Sequence, residues 1–170
     1  MMPDVTDVVL RPIDGNMLEA VLRVAVEDAD PEEVMPPCSG EEGWTEHRQQ
    51  AFRAFHEARR AGFDGPHREL GLAIVTDGEV AGVARLRRRD ADRYEFGLWI
   101  GRSYRGRGVG TAALGELQVL AGTFGATELV ADTTSDNSRA LAVLRRHSAN
   151  VAPPDEHGHV EARLELRRGD

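Results

Sequence analysis

Residues 94–111 read YEFGLWIGRSYRGRGVGT. The first seven, Tyr94 to Ile100, form an aromatic and branched run of strand length, and from Val109 onward the apolar residues Val109, Ala112, Ala113, Leu117, Leu120 and Phe124 recur at helical spacing. Between them Arg105-Gly106-Arg107-Gly108-Val109-Gly110 sets glycine at alternate positions. Without Cβ atoms the backbone curls tightly there, and successive N–H groups point into one small space at the start of the helix. The helix N-terminus adds a partial positive charge worth roughly 0.3–1 kcal/mol per anionic contact, and Arg105 and Arg107 add full charges. Strand, turn and helix are predicted, with the turn suited to phosphate.

Spacing narrows the phosphate ligand. A dinucleotide fingerprint requires G-x-G-x-x-G directly after its strand, whereas here its third glycine position falls on Thr111 and Gly101 to Tyr104 intervene. A Walker A loop fails because no Gly-Lys-Ser/Thr is present. The pattern R/Q-x-x-G-x-G/A is satisfied by Arg105, Gly108 and Gly110. With the strand before it and Asn137-Ser138-Arg139-Ala140 after the next strand, the chain resembles the GNAT superfamily of acyl-CoA-dependent N-acetyltransferases. The resemblance extends over about Asp7 to Ala149 in element order and is specific from Glu69 to Arg146.

Outward from this stretch, Leu70 to Thr76 and Val80 to Leu86 flank Asp77-Gly78, a strong hairpin signal. The charged turn Arg87 to Arg93 joins the second of these strands to Tyr94–Ile100, so an antiparallel meander delivers the chain to the glycine turn. The basic run Arg87-Arg88-Arg89 is read as a solvated hairpin end. Upstream, Val8 to Leu10 form a short strand, and Asn16 with Glu19 forms a capping box for a first helix lined by Leu18, Val21, Leu22 and Ala25. Residues 28–43, DADPEEVMPPCSGEEG, hold too many breakers and charges for a packed element and are read as a loop. A second helix is predicted over Thr45 to Ala61, closed by Gly62, with His47 and His56 as solvated or boundary residues. Downstream come a strand at Leu129–Ala131, a helix from Asn137 to near Arg146, and a strand at Val160–Leu166 with one wet face. The order β-α-α-β-β-β-α-β-α-β predicts an α+β fold around a mixed, mostly antiparallel sheet flanked by helices, as in GNAT acyltransferases.

The resemblance implies a chemistry. An amine must be neutral to attack a thioester, and at pH 7 an amine of pKa ~10.4 is deprotonated in roughly one molecule per two thousand. Glu95, ten positions before Arg105, stands where many GNAT enzymes carry a catalytic Glu; its alternative role is the wet side of a strand. In the family the strand before the glycine turn splays from its neighbour and binds the pantetheine arm, which places Trp99 and Ile100 beside the acyl group. The cofactor-binding set is then Trp99, Ile100, Arg105, Gly106, Arg107, Gly108, Val109, Gly110, Thr111, Asn137 and Ser138, with Asn137 also a helix N-cap. The chain has Leu144 where many members place an acidic Tyr, and Ala140 where the ribosomal-protein N-terminal acetyltransferase-like (RimJ/RimL-like) branch has Ser. The pattern of YEFGLWI and Val143-Leu144 otherwise resembles that branch. Ser148-Ala149 replaces the usual Gly-aromatic pair. Acetyl-CoA is the implied co-substrate, the acceptor a small amine, amino sugar or peptide N-terminus, and the transfer direct. A non-catalytic acyl-CoA-binding or sensing domain is the alternative, motivated by the absent acids. Glu32, Glu33, Glu41 and Glu42 offer carboxylates to an ammonium group, and the family's frequent dimers allow a homodimer.

Composition sets the outer bounds. With 170 residues and 41% hydrophobic content the chain suits one soluble domain, expected over 1–170. No apolar run approaches the ~20 residues of a membrane span, and the N-terminal stretch lacks signal-peptide features, so no membrane role and a cytoplasmic location are expected. The 21 basic residues, all Arg, against 29 acidic ones give a net charge of -8, which argues against nucleic-acid binding and mildly favours a cationic acceptor. Cys38 is alone, and His157-Gly158-His159 lacks a third ligand, so no metal site is expected.

Overall fold

The computed structural model describes residues 7–167. Five segments meet the rules for strands from the N-terminus to the middle of the chain and on into its second half: β1 (Val8–Pro12), β2 (Glu69–Thr76), β3 (Glu79–Arg88), β4 (Arg93–Ile100) and β5 (Glu128–Thr134). Two more follow, β6 (Asn150–Val151) and β7 (His159–Glu165). Together they form one sheet in the order β1-β2-β3-β4-β5-β7-β6, antiparallel everywhere except between β4 and β5. The expected mixed, mostly antiparallel α+β fold is what the chain adopts. The Asp77-Gly78 hairpin has φ of 51° and 78°, both positive as the tight two-residue turn demands.

Helices α1 (Gly15–Asp28) and α3 (Glu46–Glu57) cover one face of the sheet, where Leu18, Val21, Leu22 and Phe52 meet Ala73 and Val83. Helix α4 (Val109–Thr123) covers the other face and buries Val109, Ala113, Leu114 and Leu117 against Leu72, Ile74, Leu86, Tyr94 and Phe96. It also forms the crossover that a parallel β4–β5 pair needs. Burial of a side chain such as Leu114 or Leu117, both 0% exposed, contributes about 1.5–3 kcal/mol each. Helix α5 (Ser138–Arg146) packs beside α4.

Several local expectations need correction. The cap of α1 is Asp14, whose Oδ1 accepts the Met17 N–H at 2.9 Å, and not Asn16; Glu19 instead pairs with Arg53 of α3 at 2.8 Å. The 28–43 segment contains a short helix, α2 (Pro31–Val34), because Pro31 sits at the first helical position and Glu33 accepts the Asp30 N–H at 3.3 Å. Helix α3 ends at Glu57, earlier than the reading that carried it to Ala61; a 3₁₀ turn at Gly62–Asp64 follows. Strand β6 had no signal of its own, being two residues paired to β7. His56 stacks on Phe52 with ring centroids 4.6 Å apart, and burial, reinforced by the Arg59 charge, pushes its imidazole down to about 4.

The end of α5 gives a stability prediction. Ser148 follows the helix with φ 58°, a left-handed conformation that costs a non-glycine residue about 1–2 kcal/mol. Ser148→Gly removes that strain, offset by the greater freedom of glycine in the unfolded chain, for a net gain of about 0.5–1 kcal/mol. Thermal denaturation should show a midpoint about 2 °C higher. A lower midpoint would count against strain at this residue.

Candidate functional site

The site forms where β4 leaves β5. The two strands pair over only three positions, Arg93 with Glu128, Tyr94 with Leu129 and Glu95 with Val130. Beyond Glu95 the strand continues to Ile100 in register with β3, so the edge of Phe96–Ile100 that faces β5 has no strand partner. The side chains alternate as a strand requires: Leu98 and Ile100 pack toward α4, while Trp99 packs toward α1 and α3.

The chain then makes a 3₁₀ turn, Arg102–Tyr104, and enters the glycine turn. Gly106 and Gly108 have φ of 74° and 80°, left-handed values that favour glycine, and Gly108 is the N-cap of α4. Among the described residues no acceptor takes the backbone N–H groups of Gly106 to Thr111; the first satisfied one is Ala112, which donates to the Gly108 carbonyl at 3.0 Å. Buried Arg107 Nε and Thr111 Oγ1 also lack partners among the described residues. Six N–H groups without protein acceptors and two unpartnered polar atoms thus lie within six residues at a helix N-terminus, a donor set that an anionic phosphate fits. Gly110 serves differently: it is helical, and a Cβ there would lie 3.4 Å from Val143 of α5, so it sets how closely α4 and α5 approach.

Arg105 departs from its expected role as a free charge. Its Nε donates to the Ile100 carbonyl at 2.9 Å and its guanidinium pairs with Glu33 at 3.4 Å, so the side chain braces the loop. Two more acidic residues of the same region brace it as well. Asp28 accepts the Ser103 N–H at 2.9 and 3.1 Å and the Ser103 hydroxyl, and Asp30 pairs with Arg102. Gly101 permits this approach, since a Cβ there would lie 2.6 Å from Asp28 Oδ2. Of the four glutamates expected near an ammonium group, Glu33 is held by Arg105 and Glu32 lies 3.8 Å from Arg48, whereas Glu41 and Glu42 are exposed.

Glu95 occupies the last paired position of β4, with its side chain 16% exposed. The Arg89 guanidinium pairs with this carboxylate at Oε2. Asn137 caps α5, its Oδ1 accepting the Ala140 N–H at 3.2 Å, and Ser138 opens the helix; both are exposed. Asn137 precedes Val143 by six residues, about 9 Å along the helix axis.

The structure joins most of these residues through the chain itself and adds some the sequence reading missed. His147 bridges the two helices: its Nε2–H donates to the Thr111 carbonyl at 2.7 Å, which leaves Nδ1 to accept from the Gln118 amide at 2.9 Å. Asp28 and His147 carry no local signal. The His157-Gly158-His159 stretch is a turn in which Asp155 Oδ1 accepts both histidine N–H groups at 2.8 Å, and those bonds hold its carboxyl below the usual carboxylate range. Among the described residues no group of three or more His, Cys, Asp or Glu side chains is placed to hold a metal ion, and no helix is long and apolar enough to cross a membrane.

Comparison with known proteins places this geometry. A search of curated proteins found no match. Among solved structures, Mycobacterium smegmatis RimJ in complex with CoA-disulfide is similar with a TM-score of 0.75 at 21% identity, over 93% of this chain and 81% of that one. The Salmonella typhimurium acetyl transferase that modifies the N-terminal serine of a 50S ribosomal subunit protein has a TM-score of 0.76 at 15% identity, over 95% and 96%. At these identities the likeness is one of fold. The model of the acetyltransferase (GNAT) domain matches residues 7–149, which takes in the meander, the β4–β5 divergence, the glycine turn and α5. The chain therefore belongs to the GNAT acetyltransferase family.

Proposed function

We propose that the protein is an acetyl-CoA-dependent N-acetyltransferase, a single GNAT domain that moves an acetyl group directly to a primary amine of a small molecule, amino sugar or peptide N-terminus. The observation that carries this reading is the row of unpartnered N–H groups from Gly106 to Thr111 beside the unpaired edge of β4. In this assignment Gly106, Arg107, Gly108, Val109, Gly110 and Thr111 hold the phosphates, and Arg105 keeps their loop in shape. The free edge at Trp99 and Ile100 holds the pantetheine arm, with Asn137 and Ser138 on its other side. Acetyl-CoA supplies the acetyl group as an activated thioester.

Glu95 takes the proton from the incoming ammonium group, directly or through water, and a preorganised N–H of the free β4 edge stabilises charge on the carbonyl oxygen. Leu144, 4% exposed, and Ala140 leave both usual acid positions without a proton donor. A thiol with pKa near ~8.5 departs as thiolate with little help, so the reaction is slowed and not forbidden. Those same two residues support a second reading, an acyl-CoA-binding domain without turnover. The cytoplasm is the proposed location.

Calorimetric titration with acetyl-CoA, followed by a thiol-release assay against amines and short peptides, tests both. Binding with release supports the enzyme, and tight binding without release across the panel supports the sensor. Absence of binding would remove the phosphate assignment of the glycine turn.

A further inference from the structure

The sheet face that carries Glu95 is only partly covered. Helices α1 and α3 pack on Ala73 and Val83, and past Val83 strand β3 sends Arg85 and Arg87 to this same face, with Arg89 just beyond the strand's end against Glu95, all three exposed. Strand β4 runs alongside with Val83 opposite Trp99, Arg85 opposite Gly97 and Arg87 opposite Glu95. Gly97 is what makes room: a Cβ on it would lie 2.8 Å from Arg85 Nε and 3.3 Å from its Nη2, so the Arg85 guanidinium rests on β4 between Glu95 and Trp99. Toward β5 and β7 the face continues into a cavity of about 200 Å³ lined by Arg89, Arg93, Val130, Asp132, Glu161 and Arg163.

Most carboxylates on this face already have a partner, whereas Glu128 and Glu165, paired across β5 and β7 at its far end, have no ion pair among the described residues. Glu69 holds Arg59 at 3.0 Å and reaches Arg85 only at 3.4 Å; Glu95 has Arg89, Asp90 has Arg93, Glu161 has Arg163, and Asp132 has His159 at 3.5 Å. Arg87 has no ion-pair partner among the described residues, and the Arg85 side chain is 47% exposed. Two arginines with donors to spare thus flank the carboxylate assigned as the base, although the chain as a whole carries net charge -8. An arginine fork binds carboxylate or phosphate through paired N–H donors, and a polycation placed there would be repelled.

We infer that the acceptor is an amine bearing an anionic group, a carboxylate or a phosphate, which Arg85 and Arg87 hold while its ammonium group meets Glu95. This rests on the N-acetyltransferase reading and departs from the cationic acceptor that net charge favours. The anion sites are charge-based and half-exposed, so the preference weakens as salt screens them.

The test uses the full chain and matched acceptors: the tripeptides Ser-Glu-Ala, Ser-Gln-Ala and Ser-Lys-Ala, phosphoethanolamine against ethanolamine, and spermidine. Steady-state transfer from acetyl-CoA is measured, and the same compounds are titrated calorimetrically into CoA-saturated protein, so that the binding readout does not depend on turnover. The anionic member of a pair should show at least a tenfold higher kcat/KM, through KM, and correspondingly tighter binding, with the advantage reduced between 0.05 and 0.5 M NaCl. Carboxylate and phosphate are separated by which pair shows the larger ratio. Arg85→Met and Arg87→Met should each shrink that ratio severalfold with the KM for acetyl-CoA unchanged; Arg87→Met disturbs no ion pair of the described residues, which keeps the test independent of the Arg59-Glu69-Arg85 contacts. Equal or better use of Ser-Lys-Ala or spermidine, or a ratio that neither variant alters, would overturn the anion site alone. Failure to bind CoA would overturn the acetyltransferase reading beneath it.

Discussion

Gly108→Asp is expected to lower acetyl-CoA affinity by at least about a hundredfold while the protein stays folded. Gly108 lies at φ 80° and nothing lies within 4 Å of where its Cβ would be, so the new side chain meets open space and costs the fold only the left-handed strain of about 1–2 kcal/mol. In that space it sets a carboxylate among the N–H groups of Gly106 to Thr111, which it can satisfy itself. Two like charges 4 Å apart repel by about 4 kcal/mol at an effective dielectric of 20, and screening leaves enough for two decades of affinity. Gly108→Ala is the control, since it carries the same backbone strain without the charge and should lose far less. Titration calorimetry of the three proteins decides the matter. Equal affinities for wild type and Gly108→Asp would sink the phosphate cradle, and equal losses for the two variants would reassign the effect to strain.

What the sequence made legible follows from range. The glycine turn, the Asp77-Gly78 hairpin and the alternation in β7 are local chemistry, each set by residues within a few positions, and each appears where it was read. The fate of Arg105 was not local. Its partner Glu33 is 72 positions away, as Asp28 is 75 from Ser103, and only the packing of α1 and α2 against the 102–105 turn decides that these acids hold the loop. The α2 helix carried no signal because its Pro reads as a breaker and its Glu residues as loop charges, yet both favour a helix's first turn. Two strand glycines did offer a signal. Glycine inside a strand often marks a close approach, and Gly82 is where a Cβ would overlap the Trp99 carbonyl oxygen, while Gly97 is where Arg85 crosses β4. Read that way, the YEFGLWI stretch already pointed to a side chain lying over its fourth residue, without naming which.

Glu95→Gln is expected to lower kcat by about a hundredfold or more at pH 7, the usual scale for losing a general base, with acetyl-CoA affinity unchanged. The position supports the role: Glu95 is the last residue of β4 to pair with β5, so its carboxylate stands at the mouth of the divergence, mostly buried. The contact with Arg89 supports the opposite view, in which Glu95 only neutralises an arginine of the hairpin, and Gln would then change little. The pH dependence separates the two. With the base present the enzyme uses the abundant ammonium form and deprotonates it in place, whereas the variant depends on acceptor that arrives neutral. That fraction rises about tenfold per pH unit below the acceptor's own pKa, ~10.4 for an alkyl amine and ~8 for a peptide N-terminus, so with an alkyl amine the variant's rate should climb steeply from pH 6 to 9, with a peptide it should level off near pH 8, and the deficit should narrow as pH rises. Full activity of Glu95→Gln across that range would remove Glu95 as the base, and a deficit constant with pH would make it a positioning residue for Arg89.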